Sequence, residues 1–464
     1  MTGLPPSHEV VERALAAAQA SGPGDCVVVV EESHEAEVRF ANNTTTTNGV
    51  RLDRRVTVIR FVGVEGGVAA GTARRSGDVD VAALVAAAER DARESGPATD
   101  AGPLVEGQVD AAFGDPAPGT DLGVLSGVLA GLARGFARAE AAGRVLSGFA
   151  EHRMTTTELG SSTGLRRRHV QPTGALHLVG RSLDGIRSSW AGAGTADFTD
   201  VDIEALEARV ARGLSWAAHR RDVPAGRHDV ILPPDAMADL MVCVAEGTGG
   251  QQAERGQTVF SKPGGGTRLG EVLSSLPFDL WSDPAEPGLE CEPFVATAAS
   301  GANVSVFDNG LPLARTAWLR RGHLDHLSYH RAGAARSGTV AAPPIDNLVL
   351  ALPGATGTVD DLVASTERGL LLTCLWYIRT VDPATMLVTG LTRDGVYVVE
   401  DGQVVGAANN FRFNESPVDL LARATAVGTT VRALGREFGE WVNRTAMPPL
   451  RVPDFNMSSV SKAS

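Results

Sequence analysis

The sequence has 464 residues, of which 43% are hydrophobic and 21% charged, which is an ordinary globular composition. At about 150 residues per domain, this length suggests about three domains. The net charge, 42 − 55 = −13, argues against nucleic-acid binding, which needs a basic surface, and against docking on anionic membranes. Four widely spaced cysteines exclude a Cys-x-x-Cys zinc ribbon and a disulfide-rich secreted scaffold.

The N-terminal sequence does not have a basic segment followed by an apolar one, so no signal peptide is predicted. The longest apolar runs, such as residues 369–378, are too short to cross a bilayer. A cytoplasmic protein with no membrane partner is therefore expected.

Residues 1–95 are predicted to form an N-terminal α+β domain with helices flanking an antiparallel sheet. Asp80 is expected to cap the second helix, and Asn48-Gly49 to form a hairpin turn after a threonine run. The predicted elements are a helix at 7–20, strands at 26–30, 35–40, 50–62 and 66–71, and a helix at 81–93.

Residues 96–222 are predicted to form a middle domain, entered through a Gly- and Pro-rich linker at 95–120. A hairpin around the turn at 161–164 is its main feature. Its predicted elements are a helix at 122–142, strands at 143–157 and 165–179, and a helix at 200–219.

Residues 223–464 are predicted to form a large, mainly antiparallel C-terminal barrel or sandwich with flanking helices, giving an α+β protein overall. Asp401-Gly402 is expected to be a hairpin turn, and Trp376 and Tyr377 to lie in the core. The predicted elements are a strand at 228–232, a helix at 233–246, strands at 339–352, 369–381, 386–400 and 403–409, a helix at 418–438, and a closing strand at 448–460.

Few residues point to chemistry. There is no phosphate-binding loop and no HExxH, and the glycine-rich segments 247–250 and 264–266 are typical of turns. Cys243 and Glu246 share a predicted helix, but no histidine lies nearby in sequence to activate the thiol. We therefore expect a buried cysteine and a solvated glutamate, and we assign no catalytic residue.

Three of the ten histidines, His323, His326 and His330, lie within eight residues. On a helix they would share one face, yet the first and last would be about 10.5 Å apart along the axis. A single zinc ion with bonds near 2.1 Å cannot easily reach all three. A polar face is favoured, with a two-histidine metal site completed from elsewhere as the alternative.

The order of the elements, together with several short stretches, resembles the TldD/PmbA family of peptidases almost end to end. Each stretch is weak alone, but their order and spacing are specific. The matching stretches are 36–43, 47–50, 161–164, 254–260, 307–310 leading to His330, 369–373 and 398–403.

The resemblance implies that family members work in pairs that cleave small or unfolded peptides, often modified ones. One member type carries zinc through H-E-x-x-x-H on the helix that opens the third domain, with a further ligand near the C-terminus. The other type, TldE or PmbA, lacks this motif and pairs with the zinc subunit.

This sequence departs from the zinc type. The motif's two histidines would fall on Met241 and Glu246, and its glutamate on Val242. The tail from Pro448 onwards contains neither Cys nor His. The resemblance is therefore to the TldE type, with no cofactor in this chain and zinc in a TldD-like partner.

Three functions follow as hypotheses. The first, which we favour, is a non-zinc subunit of a heterodimeric metallopeptidase that contributes to the peptide cleft, with unassigned substrate-binding residues. The second is an independent hydrolase with a relocated metal site at His323, His326 and His330. The third is a scaffold that presents modified peptides to other enzymes.

Overall fold

A computed structural model describes residues 4–461, and it confirms the α+β class. Helices and strands alternate along the chain, and the strands form three sheets. None of the three sheets closes into a barrel within the described range.

The first sheet is six-stranded and antiparallel throughout, in the order β3-β2-β1-β4-β5-β6. The boundary predicted near residue 95 lies between β3 and β4, so segments 1–95 and 96–222 share this sheet. The strands are β1 (Asp25–Ala41), β2 (Thr44–Val64), β3 (Gly67–Ser76), β4 (Arg144–Ser161), β5 (Arg166–Ser182) and β6 (Ser188–Thr195).

The turn between β1 and β2 does not lie at Asn48-Gly49, so that prediction is wrong. Asn42 and Asn43 make the turn with φ of 52° and 58°, which a two-residue hairpin turn requires and asparagine tolerates. The Asn43 amide also bonds to β4, accepting from Leu146 N at 2.7 Å and donating to Arg144 O at 2.9 Å. Residues 44–49 continue as strand instead.

Helices cover one face of this sheet. Asp80 caps the second helix as predicted, accepting from Ala83 N at 3.0 Å. A short 3-10 turn at 122–125 extends the third helix, and Leu122–Ala141 is long and apolar enough to cross a membrane by composition. Its buried residues, such as Leu132, pack on the sheet, and core helices meet the same test. The helices are α1 (Ser7–Ser21), α2 (Val81–Glu94), α3 (Ser126–Ala141) and α4 (Ile203–Trp216).

The second sheet is six-stranded, in the order β11-β10-β9-β12-β21-β20. Its strands are short and mostly antiparallel, with β12 and β21 parallel. They are β9 (Asp279–Ser282), β10 (Thr316–Arg320), β11 (His323–Leu324), β12 (Leu348–Ala351), β20 (Val431–Ala433) and β21 (Thr445–Met447).

The third sheet contains ten strands, with β14-β15-β18-β22-β8-β13-β16-β17-β7 as its path and β19 attached to β22. The hairpin turn at Asp401-Gly402 and the closing strand at the C-terminus are both confirmed. Its strands are β7 (Arg220–Arg221), β8 (Gly226–Leu232), β13 (Arg368–Leu372), β14 (Leu375–Asp382), β15 (Leu387–Thr392), β16 (Val396–Glu400), β17 (Gln403–Ala408), β18 (Phe411–Glu415), β19 (Ala426–Val427) and β22 (Leu450–Val460).

The predicted helix at 418–438 is wrong beyond its first turns. The helix stops at Arg423, and the following residues form β19 and β20. Gly428 and Gly435 and the threonines between these strands disfavour helix, and pairing with β21 and β22 satisfies the backbone instead. The helices of this part are α5 (Pro234–Glu246), α6 (Gly250–Glu254), α7 (Arg331–Ser337), α8 (Val359–Ala364) and α9 (Pro417–Arg423).

Candidate functional site

Helix α5 carries the positions at which the zinc-type motif would fall. It begins at Pro234, where the missing N–H of proline is harmless, and it packs against strands of the second and third sheets. Most of its side chains are apolar because it contacts protein on several sides. Met241 is fully buried in the core and Val242 is also buried, whereas Glu246 is exposed at the last turn.

These residues do not fit a zinc ion. Zinc in proteins takes imidazole, thiolate or carboxylate ligands. Met241 offers a thioether that already packs in the hydrophobic core, and Val242 offers neither a ligand nor a general base. Glu246 alone cannot make a site. The chemistry that the zinc-type motif would supply is therefore absent from these positions.

Cys243 lies beside this position but is not a nucleophile. Its Sγ donates to Asp239 O, one turn back, at 3.6 Å. Burial raises the pKa of the Cys243 thiol to about 12, and the Glu246 carboxylate adds to the shift. Partial desolvation by the surrounding protein also raises the pKa of Glu246, although the residue is exposed. The thiol is therefore protonated near neutral pH, and a thiol reacts and binds metal as the thiolate.

Asp239 anchors a loop against α5. It is fully buried, and its two carboxylate oxygens accept from the backbone N–H groups of Arg436, Glu437 and Phe438 at 2.9, 3.0 and 3.0 Å. Burial raises its pKa to about 7, and the three backbone hydrogen bonds oppose that rise. We call residues 434–441 the anchored loop.

Arg436 of the anchored loop joins the first sheet to the third. Its guanidinium lies 3.9 Å from the centroid of the Trp376 ring on β14 and 5.7 Å from that of Trp190 on β6. The Trp190 ring in turn contacts the buried His177 ring, with centroids 5.9 Å apart. Cation–π contacts in such desolvated positions contribute about 2 kcal/mol. The loop is thus held from both sides.

An exposed aromatic surface adjoins the loop. Tyr377, predicted to be core, is 50% exposed, and Trp441 is 71% exposed. The reason is a break in β14, where Tyr377 takes φ 52° and its N–H donates to Glu437 at 2.9 Å. Trp376 is partly buried beneath Arg436. We call Trp376, Tyr377 and Trp441 the aromatic patch.

This fold has relatives among known proteins. A model of the PmbA/TldA metallopeptidase C-terminal domain matches residues 225–459, half of the chain. The chain belongs to the PmbA/TldD family. No curated protein matches it.

Solved structures extend the likeness over the whole chain. TldE from Thermococcus kodakarensis is 16% identical with a TM-score of 0.76, covering 96% of this chain and 99% of that one. A proposed modulator of DNA gyrase from Thermotoga maritima is 16% identical with a TM-score of 0.76, covering 97% of this chain and 99% of that one. A proposed modulator of DNA gyrase from Bacteroides thetaiotaomicron is 13% identical with a TM-score of 0.73, covering 97% of this chain and 98% of that one. At these identities the likeness establishes the PmbA/TldD fold alone.

The three clustered histidines do not lie on a helix, so that expectation is wrong. Positive φ values at Arg321 and Gly322 turn the chain between β10 and β11 instead. His323 is exposed on β11 with Nδ1 3.2 Å from Gly270 O, and His326 lies in a loop with Nδ1 3.0 Å from Ala317 O. His330 caps α7, accepting from Gly333 N at 3.2 Å. Among residues 4–461, no three His, Cys, Asp or Glu side chains are placed to hold a metal.

Sequence reasoning missed Asp239 and Arg436. Nearly two hundred residues separate Asp239 from the backbone groups that it binds, and periodicity carries no information on such contacts. One signal was available: Asp239 is a carboxylate between the apolar stretches 236–238 and 240–245 of a predicted helix. A charge there is rarely buried unless it is paired or hydrogen-bonded.

Proposed function

We propose that this chain is the non-zinc subunit, of the TldE type, of a heterodimeric metallopeptidase, with a TldD-like zinc-bearing homologue as its partner. The observation that carries the proposal is the composition of α5. The PmbA/TldD fold extends over the whole chain, yet the motif positions hold Met241, Val242 and Glu246. Because Met241 is part of the core, the position serves packing rather than metal binding.

The aromatic patch supports a partner on this side of the molecule. Tyr377 and Trp441 are large exposed aromatic residues, the first bonded to the anchored loop and the second within it, and tryptophan and tyrosine are enriched among the residues that dominate binding energy at interfaces. The anchored loop fixes the backbone next to Trp441, which lowers the entropy lost on association.

The proposed contribution to catalysis is to hold the peptide. Residues 44–54 of β2 pair with β1 on one side, whereas β3 pairs only with 55–64, and on that side Arg54 O accepts from Gly77 N at 2.8 Å, which leaves 44–53 without a strand. The other side of 44–53 thus meets no strand within the described part of the chain. An extended peptide can add to such an edge through backbone hydrogen bonds, which need few special side chains. We place the complex in the cytoplasm.

Reconstitution tests this proposal. The chain is purified alone and after co-expression with the zinc-bearing homologue from the same genome. Zinc is measured by elemental mass spectrometry, and cleavage is followed on a mixture of unstructured peptides. We expect substoichiometric zinc and no cleavage for the chain alone, and chelator-sensitive cleavage for the pair.

Two results would overturn the proposal. Chelator-sensitive cleavage by the isolated chain would make it an independent enzyme. Peptide binding by the isolated chain, without a complex with the zinc-bearing homologue, would favour a scaffold for modified peptides.

Trp441→Ala should weaken the complex, and Leu183→Ala, at another exposed apolar position, serves as the matched control.

A further inference from the structure

A cavity of about 360 Å³ lies at the start of α5, at the opposite end of that helix from Glu246. It is open to solvent on one side and is lined by α4, the first turn of α5, strands β6, β13 and β16, and the segments 357–360 and 429–432. Pockets that hold small organic ligands typically range from about 300 to 1,000 Å³. The size suits one small molecule or the terminal residue of a peptide.

The inner wall of the cavity is aromatic and apolar. Trp190, Trp216, Leu371 and Tyr397 all line it, and the Trp216 and Tyr397 rings meet edge to face with centroids 5.0 Å apart. Trp190, Leu371 and Tyr397 are almost fully buried, so their positions are fixed by packing. A wall of this kind favours an aliphatic or aromatic group.

The cavity lining carries more positive than negative side chains, with three arginines and two aspartates. Arg209 donates through Nη2 to Asp235 at 2.6 Å, and Asp235 also accepts from Leu434 N at 3.1 Å. Asp235 is therefore committed to holding the protein together. Arg432 is likewise engaged, with Asp200 and the Gly194 carbonyl.

Arg212 is the arginine best placed for a ligand. It donates through Nη1 to the exposed Asp360 at 3.0 Å, and its guanidinium lies 5.1 Å from the centroid of the Trp216 ring. The other guanidinium N–H groups of Arg209 and Arg212 meet no protein acceptor within residues 4–461. An arginine fork with free N–H groups binds carboxylate bidentately.

We infer that this cavity binds a small amphipathic carboxylate, with an apolar side chain against Trp190 and Trp216 and the carboxylate at Arg209 and Arg212. Two sources share this chemistry: a free acylated amino acid, and the C-terminal residue of a peptide. The inference goes beyond the proposed function, because it concerns a different end of α5 and needs no partner subunit.

Isothermal titration calorimetry on the full isolated chain tests the site, with three probes. They are N-acetyl-L-phenylalanine, an unstructured pentapeptide ending in phenylalanine with a free carboxylate, and the same pentapeptide amidated at its C-terminus. We expect the free acid to bind and the amidated peptide to bind at least about tenfold more weakly. Binding of both acids points to a peptide terminus, and binding of the small acid alone points to a free metabolite. No binding of either acid at about 10 mM, or equal binding of acid and amide, overturns the inference.

Two pairs of variants locate the binding. Arg212→Gln should weaken binding of the acid by about tenfold, whereas Arg134→Gln, at another exposed helical arginine that is paired with Glu204, should leave it unchanged. Val431→Trp, at a half-exposed lining position, should block the cavity, and Val381→Trp, exposed elsewhere, should not. Circular dichroism confirms that each variant is folded. Unchanged binding in both Arg212→Gln and Val431→Trp would place the ligand elsewhere and refute the assignment.

Discussion

His177 is expected to reduce the stability of the protein in mild acid. The side chain is buried on β5, with its ring centroid 4.7 Å from that of Phe149 and 5.9 Å from that of Trp190. Neither ring nitrogen has a hydrogen-bond partner within the described residues. Burial lowers the pKa of His177 to about 3, and the nearby Arg436 charge adds to this.

The sign of the effect follows from proton linkage. The folded pKa lies below the unfolded value of about 6.5, so the unfolded chain takes up a proton that the folded chain refuses. The part of the folding stability that depends on an uncharged His177 is fully present above about pH 6.5 and is lost as the pH falls towards 3. At pH 5, about 1.5 units below the unfolded pKa, the loss is about 2 kcal/mol.

The variant His177→Phe removes the titrating group while keeping an aromatic ring of similar size. Urea unfolding at pH 7.5 and pH 5 gives the free energy of unfolding. The wild type should lose about 2 kcal/mol more than the variant between the two pH values. His323→Gln, at an exposed histidine, should behave as the wild type does. Equal losses in the wild type and in His177→Phe would refute the reasoning.

Three further predictions concern the anchored loop, the aromatic patch and the first hairpin. Asp239→Ala removes three buried hydrogen bonds, so it should lower the free energy of unfolding by about 3 kcal/mol. It should also speed amide exchange in residues 434–441. Asp78→Ala, at an exposed aspartate, should do neither. Trp441→Ala should change stability by less than about 0.5 kcal/mol yet weaken the proposed heterodimer about tenfold or more in analytical ultracentrifugation. Asn43→Ala should lower the free energy of unfolding, measured in urea, by about 2 kcal/mol, because it removes a positive-φ turn residue and two hydrogen bonds. Asn48→Ala should lower it little. A larger loss for Asn48→Ala than for Asn43→Ala would contradict the observed turn.

The parts of the fold that follow local rules could be predicted from sequence. Helix caps such as Asp80 and the turn at Asp401-Gly402 depend on residues close in the chain. Asn48-Gly49 satisfies the same local rule but lies within β2. The decision between it and Asn42-Asn43 depends on pairing with β4, more than a hundred residues away, and local patterns do not contain that pairing.

The structure around the candidate site was even harder to predict from local sequence patterns. The apolar spacing from 418 onwards fits a helix, but β19 and β20 form because their partners arrive from β21 and β22. That rearrangement places the anchored loop over Asp239 and leaves Trp441 exposed. The sequence identifies which residues stand at the positions where the zinc-type motif would fall, whereas the surfaces that surround them depend on contacts between distant segments.

A final prediction addresses whether the motif alone would restore a metal site. The triple variant Met241→His, Val242→Glu, Glu246→His recreates H-E-x-x-x-H on α5. The imidazole that replaces the Met241 thioether would then occupy a fully buried position in an apolar core, where an unpartnered polar ring costs about 1–3 kcal/mol. Catalytic zinc needs a third protein ligand, and residues 448–464 contain neither Cys nor His. We therefore expect a less stable protein with far less than one zinc per chain by elemental mass spectrometry. One tightly held zinc per chain would show instead that α5 retains an open metal-binding geometry, and that substitution of the ligands alone separates this chain from a zinc-bearing one.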